Sequence, residues 1–303
     1  MNECLPIYIF GEVLFDCFPD SEPMLGGAPF NVAWHLQAFG ANPRLISAVG
    51  ADDGGQQILA KMQQWGMDTQ SVIVDAQHET GRVDVTFADG EPQYDIVLDA
   101  AYDHIDQRSL PVPSGEHLLY HGTLAARCTT SRESLGQLRT WPGQKAFIDV
   151  NLRDPWWELD WVRSEVHGGH CVKLNRQELI LLSAAEHEPA DQEALKVLAR
   201  NFRLANNIAN LIVTQGADGA FLVDEMGDII SHSLPPQART VVDTVGAGDA
   251  FSAIVILGML NNWQWETVLE RAQQFAGFIV TQQGAVSDNP AIYGDFKCLW
   301  GMR

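Results

Sequence analysis

The sequence contains few basic residues. Lysine and arginine number 19 in the 303-residue chain, against 39 aspartates and glutamates, which gives a formal net charge of −20 at pH 7. A charge of this size repels nucleic acids and anionic membrane surfaces over long distances, so we expect neither as a partner. An anionic ligand such as a nucleotide would instead depend on local groups, namely backbone N–H donors, a few basic side chains and a divalent cation.

Cysteine is also scarce, and the five cysteines are scattered without a C-x-x-C pair. Their odd number and wide spacing argue against a disulfide framework or a structural zinc site and favour a reducing compartment. The N-terminus lacks a basic segment ahead of a long apolar one, and no run of about 18 uninterrupted apolar residues occurs. We therefore expect a soluble, cytoplasmic protein.

Several catalytic motifs are missing too. The chain has no G-x-x-x-x-G-K-[ST], which excludes a P-loop enzyme, and no G-x-G-x-x-G after the first predicted strand, which disfavours a nicotinamide dehydrogenase. H-E-x-x-H is absent. His167 and His170 are accompanied by no third ligand of matching spacing, so a metal site there is disfavoured.

What the chain does contain is an alternation of short apolar, β-rich runs with helical patterns. Strands separated by helices indicate a mostly parallel sheet with helices on both faces, a three-layer α/β/α fold. The length suits one such domain with small additions. Strands are predicted at Ile7–Phe10, Arg44–Gly50, His117–His121, 145–149, 171–174, Asn210–Thr214 and 219–223, and helices at 30–39, 56–65, 130–140, 191–202, 250–260 and 267–281.

One region breaks this rhythm. Residues 82–87 and 94–98 alternate in polarity around a turn at 88–92, which is typical of a half-exposed hairpin. Together with residues 13–18 it could form a small sheet that projects as a β lid over the substrate, built from approximately residues 12–24 and 81–100. The pattern leaves open whether these strands close over a monomer or join two subunits in a homodimer.

Residues 243–251, DTVGAGDAF, form a glycine turn that runs into an apolar helix. Free N–H groups at a helix N-terminus make a site for phosphate, and glycine lets an anion approach the backbone closely. Asp249 lies inside this site, where a carboxylate fits if it takes a proton beside a phosphoryl group in transfer. The competing interpretation is a turn followed by an ordinary N-cap.

Polar residues also follow the other predicted strands. Glu12 and Asp16 come just after the first strand, at the sheet edge where ligands bind in open α/β folds, although a solvated loop acid is the commoner explanation. Asn31 follows the Gly26–Gly27 pair in the first turn of a helix, where its amide could meet sugar hydroxyls or simply lie at a frayed helix start.

Three further clusters follow strands in the second half of the chain, at 149–153, 173–178 and 214–219. Asn175 and Glu178 would face the same way in a helical turn and could hold water on Mg²⁺, or could form a capping box. The third cluster fits either a loop under a nucleotide or a hairpin turn.

These motifs together resemble the ribokinase-like (PfkB) carbohydrate kinases over nearly the full length, and within them the bacterial fructokinases. Residues 26–33, GGAPFNVA, resemble the N-terminal signature of that family, and residues 243–251 closely match its C-terminal one. The phrases at 100–103, 121–125 and 149–156 look like fructokinase in particular. Val150 replaces a proline that the family often has, a change we expect to be harmless.

The resemblance implies a role for each matching residue. Asp249 would be the base, and the amides of Gly246, Ala247 and Gly248 would form the anion hole. The residues implied in sugar binding are Asp16, Gly27, Asn31, Asn151 and Arg153. Those implied on the ATP side are Lys173, Asn175, Glu178, Thr214, Gly216 and Gly219, with Glu178 on Mg²⁺ through water. Asp243, Val245, Gly284 and Ala285 fall where relatives hold a monovalent cation such as K⁺.

The expected activity is ATP-dependent phosphorylation of a sugar, D-fructose to fructose 6-phosphate. Kinases of ribose, of a keto-deoxy sugar acid or of a nucleoside share the fold and remain alternatives. A protein that senses sugar without phosphorylating it is a further alternative, and an intact Asp249 argues against it.

Overall fold

A computed structural model describes residues 5–19, 22–88, 91–106, 112–185, 187–232 and 241–302. The strands are β1 Ile7–Phe10, β2 Leu14–Cys17, β3 Met24–Gly26, β4 Arg44–Gly50, β5 Val72–Asp75, β6 Gly81–Ala88, β7 Glu91–Ile96, β8 His117–His121, β9 Gln144–Asp149, β10 Cys171–Asn175, β11 Asn210–Thr214, β12 Ala220–Val223 and β13 Ile229–His232. The α-helices are α1 Ala28–Ala38, α2 Asp53–Gln64, α3 Thr129–Leu138, α4 Leu159–Val166, α5 Arg176–Leu182, α6 Gln192–Ala205, α7 Ala247–Leu260, α8 Trp265–Ile279 and α9 Pro290–Leu299. Short 3-10 helices span Ala101–His104, Leu124–Arg127 and Gly216–Asp218.

The main sheet has nine strands in the order β13-β12-β11-β10-β9-β8-β1-β4-β5. The seven strands from β11 to β5 pair in parallel, whereas β12 and β13 add an antiparallel edge. Because parallel strands end at the same edge of a sheet, the residues that follow β1, β9, β10 and β11 are brought near one another. The predicted mostly parallel α/β/α fold is confirmed.

Helices cover both faces of this sheet, as the alternation along β1 illustrates. Ile9 belongs to a core with α1, α2, α7, α8 and α9, whereas its neighbours Tyr8 and Phe10 face a second core that includes residues of α3. A third core joins α4, α5 and α6 to the β9–β12 end of the sheet. Helix α7 is buried along most of its length, which explains its nearly continuous apolar sequence.

A separate four-stranded sheet has the order β3-β2-β6-β7. The predicted hairpin corresponds to β6 and β7, which pair antiparallel, and β2 adds to β6 in parallel. Residues 89 and 90 of the predicted turn lie outside the described residues. Because β2 pairs with β6, the predicted association of residues 13–18 with this hairpin is confirmed.

Some elements had no sequence prediction. The structure adds β5, β13, α4 and α9, and it begins α2 three residues earlier than the predicted 56–65, because the Asp52 side chain caps it by accepting from Gly55 N–H. In the described part of the chain, no helix is long and apolar enough to cross a membrane.

Candidate active site

The N-terminus of α7 is shaped by Gly246. This residue is the N-cap and has a φ of 78°, in the left-handed region. A Cβ built on it would lie 2.4 Å from the Cα of Ala285, so the turn and the C-terminal loop approach more closely than any side chain permits. The first α-helical bond of α7 runs from Ala250 N–H to the Gly246 carbonyl, and Ala247 N–H makes a long bond of 3.4 Å to the Thr244 carbonyl. Within the described part of the chain, the N–H groups of Gly248 and Asp249 have no backbone acceptor, as is usual in the first turn of a helix.

Replacing Gly246 by alanine should therefore be costly. We expect Gly246→Ala to lower the free energy of unfolding by about 1–3 kcal/mol, since both the left-handed backbone and the contact with Ala285 oppose a side chain. Gly294 on α9 is the control, because its Cβ would have open space around it, and Gly294→Ala should be neutral or slightly stabilising. Urea unfolding of both variants makes the comparison, and equal stabilities would contradict this account of the turn.

Asp249, the third residue of α7, is buried and paired with Asn31 of α1. The Asn31 side-chain N–H donates to Asp249 Oδ2 over 2.8 Å, across 218 residues of sequence. Pro29 lies in the first turn of α1 as predicted, and Gly27 precedes the helix with a φ of 107°. The two predicted signatures are thus in direct contact.

Burial raises the pKa of Asp249 to about 6. The Asn31 hydrogen bond opposes this rise, and Asp149 adds to it, whereas the positive charges of Lys173 and Arg153 lower the pKa. The carboxylate is therefore ionised at neutral pH, yet its basicity is closer to the working pH than that of an exposed aspartate.

A buried polar network lies behind the α7 turn, and Asp149 is its centre. Asp149 Oδ2 accepts from Lys173 Nζ at 2.6 Å, from Ser252 Oγ at 2.7 Å and from Tyr120 OH at 3.1 Å. The Ser252 hydroxyl is also 3.0 Å from the Gly248 carbonyl, and a Cβ on Gly248 would lie 3.5 Å from Lys173 Nζ. The network therefore places an ammonium group beside the free amides of the turn.

Two further carboxyl groups with raised pKa values belong to the segment that follows β1. Burial raises the pKa of Glu12 to about 7 and that of Asp16 to about 6, and in both the charge of Arg153 opposes the rise. Glu12 Oε2 and Asn31 Oδ1 are buried and have no hydrogen-bond partner among the described residues. Buried polar atoms normally have partners, so these two are candidates to meet a polar ligand.

Asn175 and Glu178 form a capping box, one of the two arrangements that their spacing predicts. Asn175 Oδ1 accepts from Glu178 N–H at 2.8 Å, and Glu178 Oε2 accepts from Asn175 N–H at 2.7 Å. Glu178 Oε1 also accepts from Leu152 N–H at 2.8 Å, which ties α5 to the segment after β9. Burial raises the pKa of Glu178, while the hydrogen bonds from Asn175 and Leu152 oppose the rise.

A cleft of about 1260 Å³ opens beside these groups. All six residues predicted on the ATP side line it. Apolar groups also line it, including Val241, Phe251, Ala276 and Val280. The predicted residues in its lining are Asn151, Lys173, Asn175, Glu178, Thr214, Gly216, Gly219, Ala247 and Gly248.

The loop at 214–219 is a hairpin turn, one of its two predicted interpretations, and its contact with a nucleotide stays a prediction. It connects the antiparallel strands β11 and β12 as a hairpin, through a 3-10 turn at Gly216–Asp218, and it also lines the cleft. Gly216 and Gly219 have φ angles of 58° and 94°, which explains the glycines at both positions.

The side chain of Asp243 joins the α7 turn to the C-terminal loop. Its Oδ1 accepts from Val245 N–H at 3.0 Å and its Oδ2 from Gly284 N–H at 3.1 Å. The structure therefore brings together the four residues predicted around a monovalent cation. His35 contacts the same loop, since its Nε2 lies 3.2 Å from the Ala285 carbonyl oxygen. Burial lowers the pKa of His35 to about 3, so the ring is neutral.

Several members of this site carry no signal in the sequence. Ser252 and Tyr120 read as core positions of an apolar helix and a buried strand, and they become functional neighbours only through Asp149. Asp149 and Glu12 are indicated by the sequence only as acids at strand ends, and their contacts depend on packing across the sheet edge.

The three-layer α/β/α fold, with a buried carboxylate in the first turn of a central helix, is that of the ribokinase-like class. The model of the pfkB family of carbohydrate kinases matches residues 21–292. The chain therefore belongs to this family, as its resemblance implied.

Known relatives include both fructokinases and riboside kinases. A fructokinase of Salmonella typhimurium is 27% identical over 305 residues, which cover 94% of this chain and 96% of the relative. The structure of aminoimidazole riboside kinase from Salmonella enterica, with aminoimidazole riboside and an ATP analogue, matches with a TM-score of 0.80 at 22% identity, covering 96% of this chain and 99% of that one. A double-mutant fructokinase from Vibrio cholerae, bound to fructose, ADP and a potassium ion, matches with a TM-score of 0.79 at 22% identity, covering 97% and 98%.

Proposed function

We propose that the protein transfers the terminal phosphoryl group of ATP to a sugar hydroxyl, with D-fructose as substrate and fructose 6-phosphate as product. The observation that carries this proposal is the position of Asp249. It is a buried carboxylate with a pKa of about 6, it is held by Asn31, and it lies among the free amides that begin α7. A base and an anion site within one helical turn suit phosphoryl transfer to a hydroxyl.

In this mechanism Asp249 accepts the proton of the attacking hydroxyl, and the hydroxyl oxygen attacks the phosphorus in line with the leaving ADP oxygen. The amides of Gly246, Ala247 and Gly248 stabilise the charge on the transferred group. Lys173 adds a positive charge beside Gly248 and is kept in place by Asp149. Such fixed donors stabilise the transition state because they need no reorganisation during the reaction.

The sugar lies between Asp249 and β2 in this proposal. Asp16, Gly27, Asn31, Asn151 and Arg153 surround it. The unpartnered Asn31 Oδ1 accepts from one of its hydroxyls. Asp16 belongs to the four-stranded sheet, so a movement of that sheet would carry a sugar ligand with it. In this proposal the small sheet acts as a lid over the sugar, and a homodimer, if one forms, pairs through this lid.

The oxygen donors at the cleft fit a magnesium ion. Asp149 and Glu178 are buried carboxylates in its wall, and oxygen donors with retained water are the ligands Mg²⁺ prefers. Glu178 uses each carboxylate oxygen for one backbone N–H, which leaves further lone pairs for water on the ion. Such an ion would neutralise charge on the phosphates, and Asp243, Val245, Gly284 and Ala285 would hold K⁺.

Aminoimidazole riboside is the second candidate substrate, because the relatives include a kinase of that riboside. A panel of fructose, ribose, a keto-deoxy sugar acid, adenosine and aminoimidazole riboside with Mg·ATP separates the candidates by kcat/KM. We expect fructose to be turned over best. Clear turnover of another acceptor with none of fructose would refute the specificity, and no turnover of any would favour a sugar sensor.

The pH dependence of turnover tests the role of Asn31. Because Asp249 must be ionised, kcat should fall as the pH drops through about 6. The Asn31 hydrogen bond lowers the pKa of Asp249, so Asn31→Ala should move this acid limb to higher pH as well as raise KM for the sugar. Asn289→Ala removes the exposed N-cap of α9 and should leave the profile unchanged. An acid limb at the same pH in the parent and Asn31→Ala would contradict the assignment.

A further inference from the structure

A second cluster of ligating side chains lies at the base of the four-stranded sheet. His78 precedes β6 by three residues, and Asp99 and His104 follow β7. One ligand atom from each of these three residues lies within 4.8 Å of the others. His104 Nε2 is 2.8 Å from Asp99 Oδ1, and His78 Nε2 is 3.7 Å from the same oxygen.

Asp75, at the end of β5, fixes the orientation of His78. Its Oδ2 is 2.8 Å from His78 Nδ1, and its Oδ1 accepts from the N–H groups of Gln77 and His78. A carboxylate partner requires the proton on Nδ1, so the lone pair of a neutral His78 ring is on Nε2 and faces Asp99. A lone pair facing a carboxylate oxygen is unfavourable unless a proton or a metal ion lies between them, and the second imidazole of His104 beside the same oxygen favours a metal ion.

From this arrangement we infer that His78, Asp99 and His104 bind a divalent transition-metal ion of the Zn²⁺ type. The ligand atoms are the two Nε2 atoms and a carboxylate oxygen of Asp99, with water completing a tetrahedron. Two imidazoles and one carboxylate are a zinc-type donor set, whereas Mg²⁺ and K⁺ prefer oxygen alone. Asp75 is an outer hydrogen-bond partner, which histidine ligands of metals almost always have as a carboxylate, a backbone carbonyl or a water.

The side chains can reach this coordination with small movements. The His78 and His104 rings are stacked, with centroids 3.6 Å apart and planes 8° apart, so the planes must open for both lone pairs to converge on one ion. His104 is bonded to Asp99 itself, so ligand and partner can turn together. The ring proton of His104 then moves from Nε2 to Nδ1, which frees the Nε2 lone pair for the ion. Both histidines are half-buried and Asp99 is exposed, which leaves an entry path from solvent.

The position of the site determines what a bound ion would do to the structure. Asp75 ends the edge strand β5 and His78 belongs to the connection from β5 to β6, whereas Asp99 and His104 belong to the segment that leaves β7. A bound ion would therefore fasten the two connections of the small sheet to the main sheet. This site shares no residue with the candidate active site, and it stands even if the proposed kinase activity fails.

Zinc affinity can be measured by competition with a chromogenic chelator, on nucleotide-free protein whose thiols have been alkylated. We expect one zinc ion per chain at this site. His104→Asn should weaken its affinity by at least about tenfold, and Asp75→Asn, which keeps all three ligands, by on the order of 10–100-fold. A thermal melt with and without zinc shows that each variant is folded and provides a second readout.

His167→Asn is the matched control, because His167 is exposed and belongs to the H-G-G-H pair, outside the cluster. It should bind zinc as the parent does. The inference is overturned if the parent binds no more tightly than His104→Asn, or if His167→Asn loses as much affinity. Equal affinities of the parent and Asp75→Asn would show an adventitious surface pair of histidines and would overturn it as well.

Discussion

Asp249→Asn should abolish turnover and leave ATP binding nearly unchanged. An amide cannot take the hydroxyl proton, and general-base catalysis is worth about 10²–10⁴-fold in rate. The substitution is nearly isosteric, and its amide oxygen can still accept the hydrogen bond from Asn31. The fold and the anion hole should therefore survive, so the loss appears in kcat rather than in nucleotide affinity.

Asp295→Asn is the control for the loss of one negative charge, since Asp295 is exposed on α9. It should match the parent in both kcat and nucleotide affinity. Isothermal titration with ADP and a coupled assay of ADP release give the two quantities. Turnover by Asp249→Asn at the parent rate would show that Asp249 is not the base.

The second large effect is expected from Asp149→Ala, and it concerns stability. Lys173 is buried, and its ammonium group is 2.6 Å from Asp149 Oδ2. Removing one partner of a buried ion pair leaves an uncompensated charge, which costs about 3–5 kcal/mol. Ser252 and Tyr120 lose their common acceptor in the same change, so we expect a loss in this range by urea unfolding.

The pair of Lys145 and Glu116 is the matched control, because its 3.0 Å contact is exposed. Glu116→Ala should cost at most about 1 kcal/mol, as exposed ion pairs do. Adding Lys173→Met to Asp149→Ala should recover part of the loss, since the unpaired charge is then gone. A cost for Asp149→Ala no larger than that for Glu116→Ala would mean that the network does not hold the turn.

Much of the fold could be predicted from periodicity and turn residues. The strands of the parallel sheet, the helix after Gly27 and the hairpin of the small sheet all carry strong local patterns, and they form as predicted. Helix α4 has only eight residues, and two tryptophans come just before it. Its helical periodicity is therefore too short to predict it. Strand β5 is an edge strand of four residues, whose pairing with β4 depends on tertiary contacts.

The candidate site was predictable as a set of residues but not as a set of contacts. Asn31 and Asp249 belong to separate motifs, and their hydrogen bond exists because α1 and α7 pack together across 218 residues of sequence. Asn175 and Glu178 show the opposite case. Their spacing fitted either a capping box or a metal site, and the structure contains the capping box.

The most direct test of phosphoryl transfer to a sugar is ³¹P NMR of the parent protein with fructose and Mg·ATP. We expect ADP to appear together with a phosphomonoester whose phosphorus is coupled to the protons on carbon 6 of fructose. ATP breakdown that yields inorganic phosphate alone, or no ATP breakdown with any sugar of the panel, would contradict a sugar kinase built around Asp249.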